Sequence, residues 1–147
     1  MHPRLSYPTI APNVLQAALS LSKPVRDCGL EEELIELVNM RASQINGCAY
    51  CLDMHAKSLR KMGVDQQKLD LLVAWQEAPG VFSEREQAAL AWAEAVTLVA
   101  NNGVPEDVYR CALSHFGEKG LVDLTYAVTV INTWNRLNVS FRNAPAD

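Results

Sequence analysis

The sequence predicts an all-α fold: one domain, a helical bundle of about seven helices. Three observations carry that expectation. Apolar residues recur at three- and four-residue spacings through most of the chain. Glycine, proline and asparagine cluster between those periodic segments, where helices end. No alternating run of Val, Ile, Thr or Tyr is framed by hairpin turns; the β-branched stretch Val128-Thr129-Val130-Ile131 sits inside a helical pattern.

The first helix is expected from Asn13 to about Leu21, opened by Pro8 and Pro12, with Val14, Leu15, Ala18 and Leu19 on its apolar face. Pro24 should end it. Gly29 precedes a second helix whose first turn carries Glu31, Glu32 and Glu33, acids suited to the positive helix end. Leu30, Leu34, Leu37, Val38 and Ile45 form its buried stripe. Asn46-Gly47 marks a turn, and Cys48 to Lys61, free of Gly and Pro, continues as the third helix until Gly63.

Asp65 caps a fourth, from about Gln66 to Glu77, with Leu69, Leu72 and Val73 inward. After the Ala78-Pro79-Gly80 break, Ser83 and Glu86 stand as a capping box for a long alanine-rich helix to about Asn101. Pro105 opens the sixth helix, Glu106 to Phe116, which Gly117 ends. The last runs from Glu118 to about Phe141 along Leu121, Leu124, Val128, Ile131, Trp134, Leu137 and Val139. The tail from Asn143 to Asp147 should fray.

The chemistry concentrates between Glu36 and His55. On the third helix Cys48, Cys51 and His55 stand at i, i+3 and i+7, which is one face. Two thiols at this spacing can close a small disulfide ring, and an imidazole one turn away can lower a thiol pKa or take its proton. Glu36, on the preceding helix, is the candidate to hold that imidazole in one tautomer. Two arguments then point to different nucleophiles: the helix N-terminus favours a thiolate at Cys48, and the His55 contact favours Cys51. Zinc would need Cys48, Cys51, His55 and Glu36 together, yet Cys48 and His55 are separated by a rise of about 10 Å. The paired-ligand spacing of structural zinc sites is absent too, so no metal is expected.

The pattern Glu36, eleven residues, Cys48-x-x-Cys51-x-x-x-His55 resembles the alkylhydroperoxidase AhpD-like group of the carboxymuconolactone decarboxylase superfamily. Arg41 to Cys48 before the cysteines and Ile131 to Leu137 in the last helix extend the resemblance over most of the chain. It implies that Cys51 attacks peroxide, that Cys48 is the resolving thiol, and that Glu36 with His55, through a water, relays the proton. It further implies a peroxide substrate, a thiol or dithiol reductant and a homo-oligomer, most often a hexamer; peroxide reduction by thiols would need no other cofactor. Tyr50 stands where the best-known AhpD enzyme has histidine and is a possible accessory residue. The alternatives are a redox-sensing or disulfide-exchange protein without turnover, and a decarboxylase of a carboxylated lactone, a branch that generally lacks the cysteine pair.

Composition sets the outer limits. With 147 residues, 49% of them hydrophobic, the chain can bury one real core. A net charge of −4 gives no basic footprint for nucleic acid, and no apolar run reaches membrane-span length. The segment Met1 to Pro8 lacks the apolar core of a signal peptide, so a cytoplasmic protein is expected. An all-α chain also excludes a thioredoxin-type setting for Cys-x-x-Cys. Cys28 and Cys111 are expected to be ordinary buried or partly buried residues, His115 structural, and His2 part of a mobile terminus. Trp75, Trp92 and Trp134 should anchor core or interface, and Asn132, Asn135 and Arg136 should make local hydrogen bonds. The alanine-rich helix and the Trp134 helix hold more apolar surface than one small domain covers, which argues for a homo-oligomer.

Overall fold

The computed structural model describes residues 2–145, and among them there is no β-strand, only an isolated bridge between Pro79 and Phe82. The helices are α1 (Tyr7–Ile10), α2 (Pro12–Arg26), α3 (Glu32–Asn46), α4 (Ala49–Lys61), α5 (Gln66–Leu71), α6 (Glu84–Thr97), α7 (Val99–Asn102) and α8 (Glu106–Phe141), with a 3-10 segment at Leu72–Glu77. The all-α expectation therefore holds. Ala146 and Asp147, the end of the tail expected to fray, lie outside the described residues.

Helix α3 is the centre of the bundle, packed against α4, α6 and α8. Its apolar stripe serves two sides. Leu34 and Val38 meet Ala89, Trp92 and Ala93 of α6 and Leu124 and Val128 of α8. Leu37 and Met40 meet Leu59 of α4, Leu69, Leu72 and Trp75 beyond it, and Leu90 of α6. Ala88, Ala89 and Ala93 of α6 are buried, and Ala89 and Ala93 pack with Trp92 against α3 and α8, so much of the apolar face of α6 is covered within the chain. Ion pairs tie the same elements at the edge: Arg41 with Glu94, 2.7 Å apart, and Lys68 with both Glu33 and Glu86.

Several boundaries differ from expectation. Tyr7–Ile10 forms a short helix of its own with Pro8 in its first turn. Pro24 does not end α2, which continues to Arg26; the bond that a proline forfeits is to the carbonyl of exposed Ser20, which solvent can satisfy. On α2 only Ala18 of the expected face is buried; Val14 and Leu19 are exposed, and Leu15 and Leu19 line a cavity. The fourth helix breaks at Leu71 into the 3-10 segment, where Ala74 has φ −123° and Val73 turns outward, 60% exposed. The alanine-rich helix stops at Thr97 and restarts as α7, leaving Leu98 at the surface.

The expected caps form where they were read. Ser83 and Glu86 make a reciprocal capping box, and the Asp65 carboxylate accepts from Gln67 N–H at 2.7 Å. At Gly117, φ 66° and ψ 178°, α8 turns sharply, so its two arms correspond to the sixth and seventh expected helices. Trp75 and Trp92 are buried and Trp134 partly so, whereas Cys111 is exposed, against expectation, with Cys28 intermediate. No helix among the described residues is long and apolar enough to cross a membrane.

Candidate active site

The site begins with the left-handed turn that links α3 to α4. Gly47 adopts φ 65° and ψ 35°, a conformation a side chain resists, and its N–H and that of Cys48 close the last turn of α3 on Gln44 and Ser43 carbonyls. This leaves Cys48 as the N-cap of α4, one residue before the helix, where its sulfur accepts the Cys51 N–H at 3.3 Å. Sulfur thus occupies the place of a capping oxygen. Cys48 and Cys51 form a disulfide, their Cα atoms 5.4 Å apart.

Both cysteines are buried, packed on Ala42 of α3 and Ile131 of α8. One turn further along α4, His55 Nδ1 lies 2.8 Å from Glu36 Oε2. The imidazole side chain is 6% exposed and the carboxylate 17%. An ionised carboxylate only accepts, so against it Nδ1 is the donor, and in a neutral imidazole this leaves the lone pair on Nε2. Nε2 is buried and has no protein hydrogen-bond partner. Among the described residues no group of three or more His, Cys, Asp or Glu is arranged to hold a metal ion.

A cavity of about 1020 Å³ opens beside these residues, between the N-terminal helices and the α3, α4 and α8 face. Cys51, His55, Glu36 and Tyr50 line it; Cys48 does not. The rest of the wall is mainly apolar, including Leu15, Leu19, Met54, Ile131 and Trp134. Tyr7 also faces it, and burial, with a smaller contribution from Tyr50, pushes its phenol above the ordinary value. Tyr50 stands at the exposed rim.

Behind the cysteines lies a buried amide network that sequence reasoning saw only in part. Asn46 Nδ2 donates to Asn132 Oδ1 and Asn135 Oδ1, at 3.0 and 2.8 Å. Asn135 in turn donates to Ser43 Oγ, Asn132 to Thr97 Oγ1, and Arg136 to Asn132 Oδ1. These bonds pin the end of α3, and hence the Gly47 turn, to α8. Asn138 was not singled out from the sequence, although Asn132, Asn135 and Asn138 recur every three residues on an otherwise apolar helix face, a signal that could have found it. His115, by contrast, is remote: its carbonyl accepts from Arg85.

The carboxymuconolactone decarboxylase family model matches residues 12–95, more than half of the chain and all of the Glu36 to His55 stretch. The chain belongs to this family. It is similar to the uncharacterized protein YdfG of Bacillus subtilis, 36% identical over 146 residues, 99% of each chain. Within the family an alkyl hydroperoxide reductase AhpD of Streptomyces griseus is 46% identical over 41 residues, 28% of this chain and 23% of that one. Among solved structures, ATU0492 of Agrobacterium tumefaciens, a protein of unknown function provisionally named an antioxidant defence protein AhpD, superposes with a TM-score of 0.95 at 39% identity. That match covers 99% of this chain and 100% of the other. The family relationship that the resemblance implied and the AhpD-like all-α architecture are thereby shown.

Proposed function

We propose that this member of the family is a thiol peroxidase that reduces organic hydroperoxides through Cys51 and Cys48. The observation that carries the reading is that Cys51 shares one apolar cavity with the His55–Glu36 pair, while Cys48 is bonded to it from behind. In the reduced protein His55 Nε2 takes the Cys51 proton, through a water as the resemblance implies. The thiolate attacks the terminal peroxide oxygen; an S–O bond forms, the O–O bond breaks, and the leaving alkoxide takes the proton held on His55 to become the alcohol. Cys51 is then a sulfenic acid, which Cys48 attacks to form the disulfide with loss of water. An external thiol or dithiol returns both cysteines to thiols.

The apolar wall suits a hydroperoxide with a hydrocarbon body better than hydrogen peroxide, because burying that body adds binding that the small substrate lacks. The deciding experiment is peroxide consumption by the reduced protein with an organic hydroperoxide and a dithiol donor. Cys51→Ser should abolish turnover, while Cys48→Ser should still form one sulfenic acid per chain. If Cys48→Ser is the variant that forms none, the roles are reversed. A protein that oxidises once and never turns over is a sensor or disulfide-exchange protein instead, and one that releases carbon dioxide from a carboxylated lactone has the activity in the family's name. The homo-oligomer, a hexamer by resemblance, is part of the same proposal; light scattering at micromolar concentration tests it, and a monomer refutes it.

A further inference from the structure

We propose that Asn138 is the group that stabilises the Cys51 thiolate, held in the orientation that does so by Asn143. The inference rests on the reading of Cys51 as the reacting thiol. Asn138 is 4% exposed, near the end of α8, and its Nδ2 donates to Cys51 Sγ at 3.4 Å. Its other amide atom is committed: Oδ1 accepts from Asn143 Nδ2 at 2.8 Å. Asn143 is itself fixed just beyond the helix, its N–H bonded to the Asn138 carbonyl, after Arg142 takes a left-handed φ of 56°. With Oδ1 occupied, the amide can present only its donor to the sulfur.

A sulfur in a disulfide is a weak acceptor and a thiolate a strong one, so this bond gains strength when Cys51 ionises. That difference matters because Cys48 already has a stabilising donor, the Cys51 N–H at the start of α4. Without Asn138 the helix N-terminus would favour a thiolate at Cys48, the sulfur that does not face the cavity. The other titratable groups around Cys51 are Cys48, bonded to it, Tyr50 and His55 on its own helix, Glu36 from α3 and Tyr7 from α1, with Arg26 of α2 and Glu32 of α3 further along the wall. The residues of α8 that line the cavity carry no titratable group, and the Trp134 N–H is committed to Ser22, so the Asn138 amide is the donor that helix offers the sulfur.

The test reads each thiol separately. In the Cys48→Ser background the pH dependence of alkylation at Cys51 by iodoacetamide is followed by peptide mass, which keeps Cys28 and Cys111 apart; Cys48 is read likewise in Cys51→Ser. Asn138→Leu should move the Cys51 midpoint up by about one pH unit, slowing alkylation about tenfold at pH values well below the wild-type midpoint, and leave the Cys48 midpoint in place. Asn138→Asp is isosteric, keeps the bond from Asn143 and removes the donor, so it should raise the midpoint further and carries the test if the leucine variant does not fold. Asn143→Ala should produce a smaller rise in the same direction. An unmoved Cys51 midpoint in the folded variants overturns the proposal, as does an equal shift at Cys48, which would mean general loosening. The measurement needs no peroxide: if the shift is found and wild-type turnover is not, the thiolate assignment stands and the peroxidase reading falls.

Discussion

Replacing His55 by glutamine removes the proposed proton acceptor and leaves both cysteines in place. An unassisted thiol, with a pKa of about 8.5, is about 3% thiolate at pH 7 and about 75% thiolate at pH 9. If the 2.8 Å His55–Glu36 pair supplies the thiolate in the wild type, the ionisation part of the loss is about 30-fold at pH 7 and nearly nil at pH 9. The variant's rate relative to wild type should therefore recover about 25-fold between those values, while protonation of the leaving alkoxide stays impaired at both. Stopped-flow measurement of the first oxidation of the reduced protein, with turnover suppressed by omitting the donor, separates this from the reductive half. Glu36→Gln should cost less, because the amide oxygen still accepts the Nδ1 proton, and combining the two should add little to His55→Gln alone. A loss by the same factor at pH 7 and pH 9 would refute the proton-acceptor role, and wild-type behaviour of both variants would remove the pair from the chemistry altogether.

Three further outcomes test how the bundle holds the site. Burial lowers the Lys68 ammonium pKa, but the bonds to Glu86 and Glu33 outweigh it and hold the group above its ordinary value; stability from this cluster should be intact below about pH 10.4 and fall as pH rises through the raised value. Urea melts of wild type and Lys68→Met across that range should show a shallower alkaline decline in the variant. Gly117→Ala should destabilise by about 1–3 kcal/mol in urea unfolding, since a Cβ meets no neighbour there but φ 66° with ψ 178° is a region that only glycine occupies readily. Asn135→Leu should cost about 2–4 kcal/mol, because Asn46 and Ser43 each lose a buried partner; a change below about 0.5 kcal/mol would mean that the amide network does not anchor the Gly47 turn.

The signals that read well in the sequence were those whose physics is local. Ser83 with Glu86, Asp65 and Gly117 act within a turn of themselves, and each does in the structure what its residue type predicts. The stripe of Leu34, Leu37 and Val38 was legible for the same reason, as was the one-turn spacing of Cys51 and His55. What stayed hidden depends on distant neighbours. Pro24 could continue α2 because Ser20, whose carbonyl loses its bond, is exposed, and Val73 could turn outward because the chain tightens to a 3-10 form over Leu72 and Trp75, which are buried. At the site, the sequence offered the Glu36 to His55 spacing but no means of placing Asn138 beside Cys51, since that contact joins residues 87 positions apart. The exposure of Cys111 likewise depends on which face of α8 the other helices cover.

The burial of the two sulfurs also bears on how the proposed cycle is reset. Cys51 lines the cavity and Cys48 does not, so a donor thiolate entering that way meets Cys51 first. Attack there forms a mixed disulfide on Cys51 and expels Cys48 as the leaving thiolate. A sulfur that already accepts a backbone N–H at a helix N-terminus is suited to that role, because the charge it acquires is stabilised as it leaves. The two thiols then act at different steps of the proposed cycle: His55, with the cavity and Asn138, favours Cys51 as the thiolate that meets peroxide, and the helix N-terminus favours Cys48 as the thiolate released on reduction. A neutral Cys51 and a stabilised Cys48 would serve reduction alone. A proposed cycle that alternates oxidation and reduction would draw on the stabilisation of both.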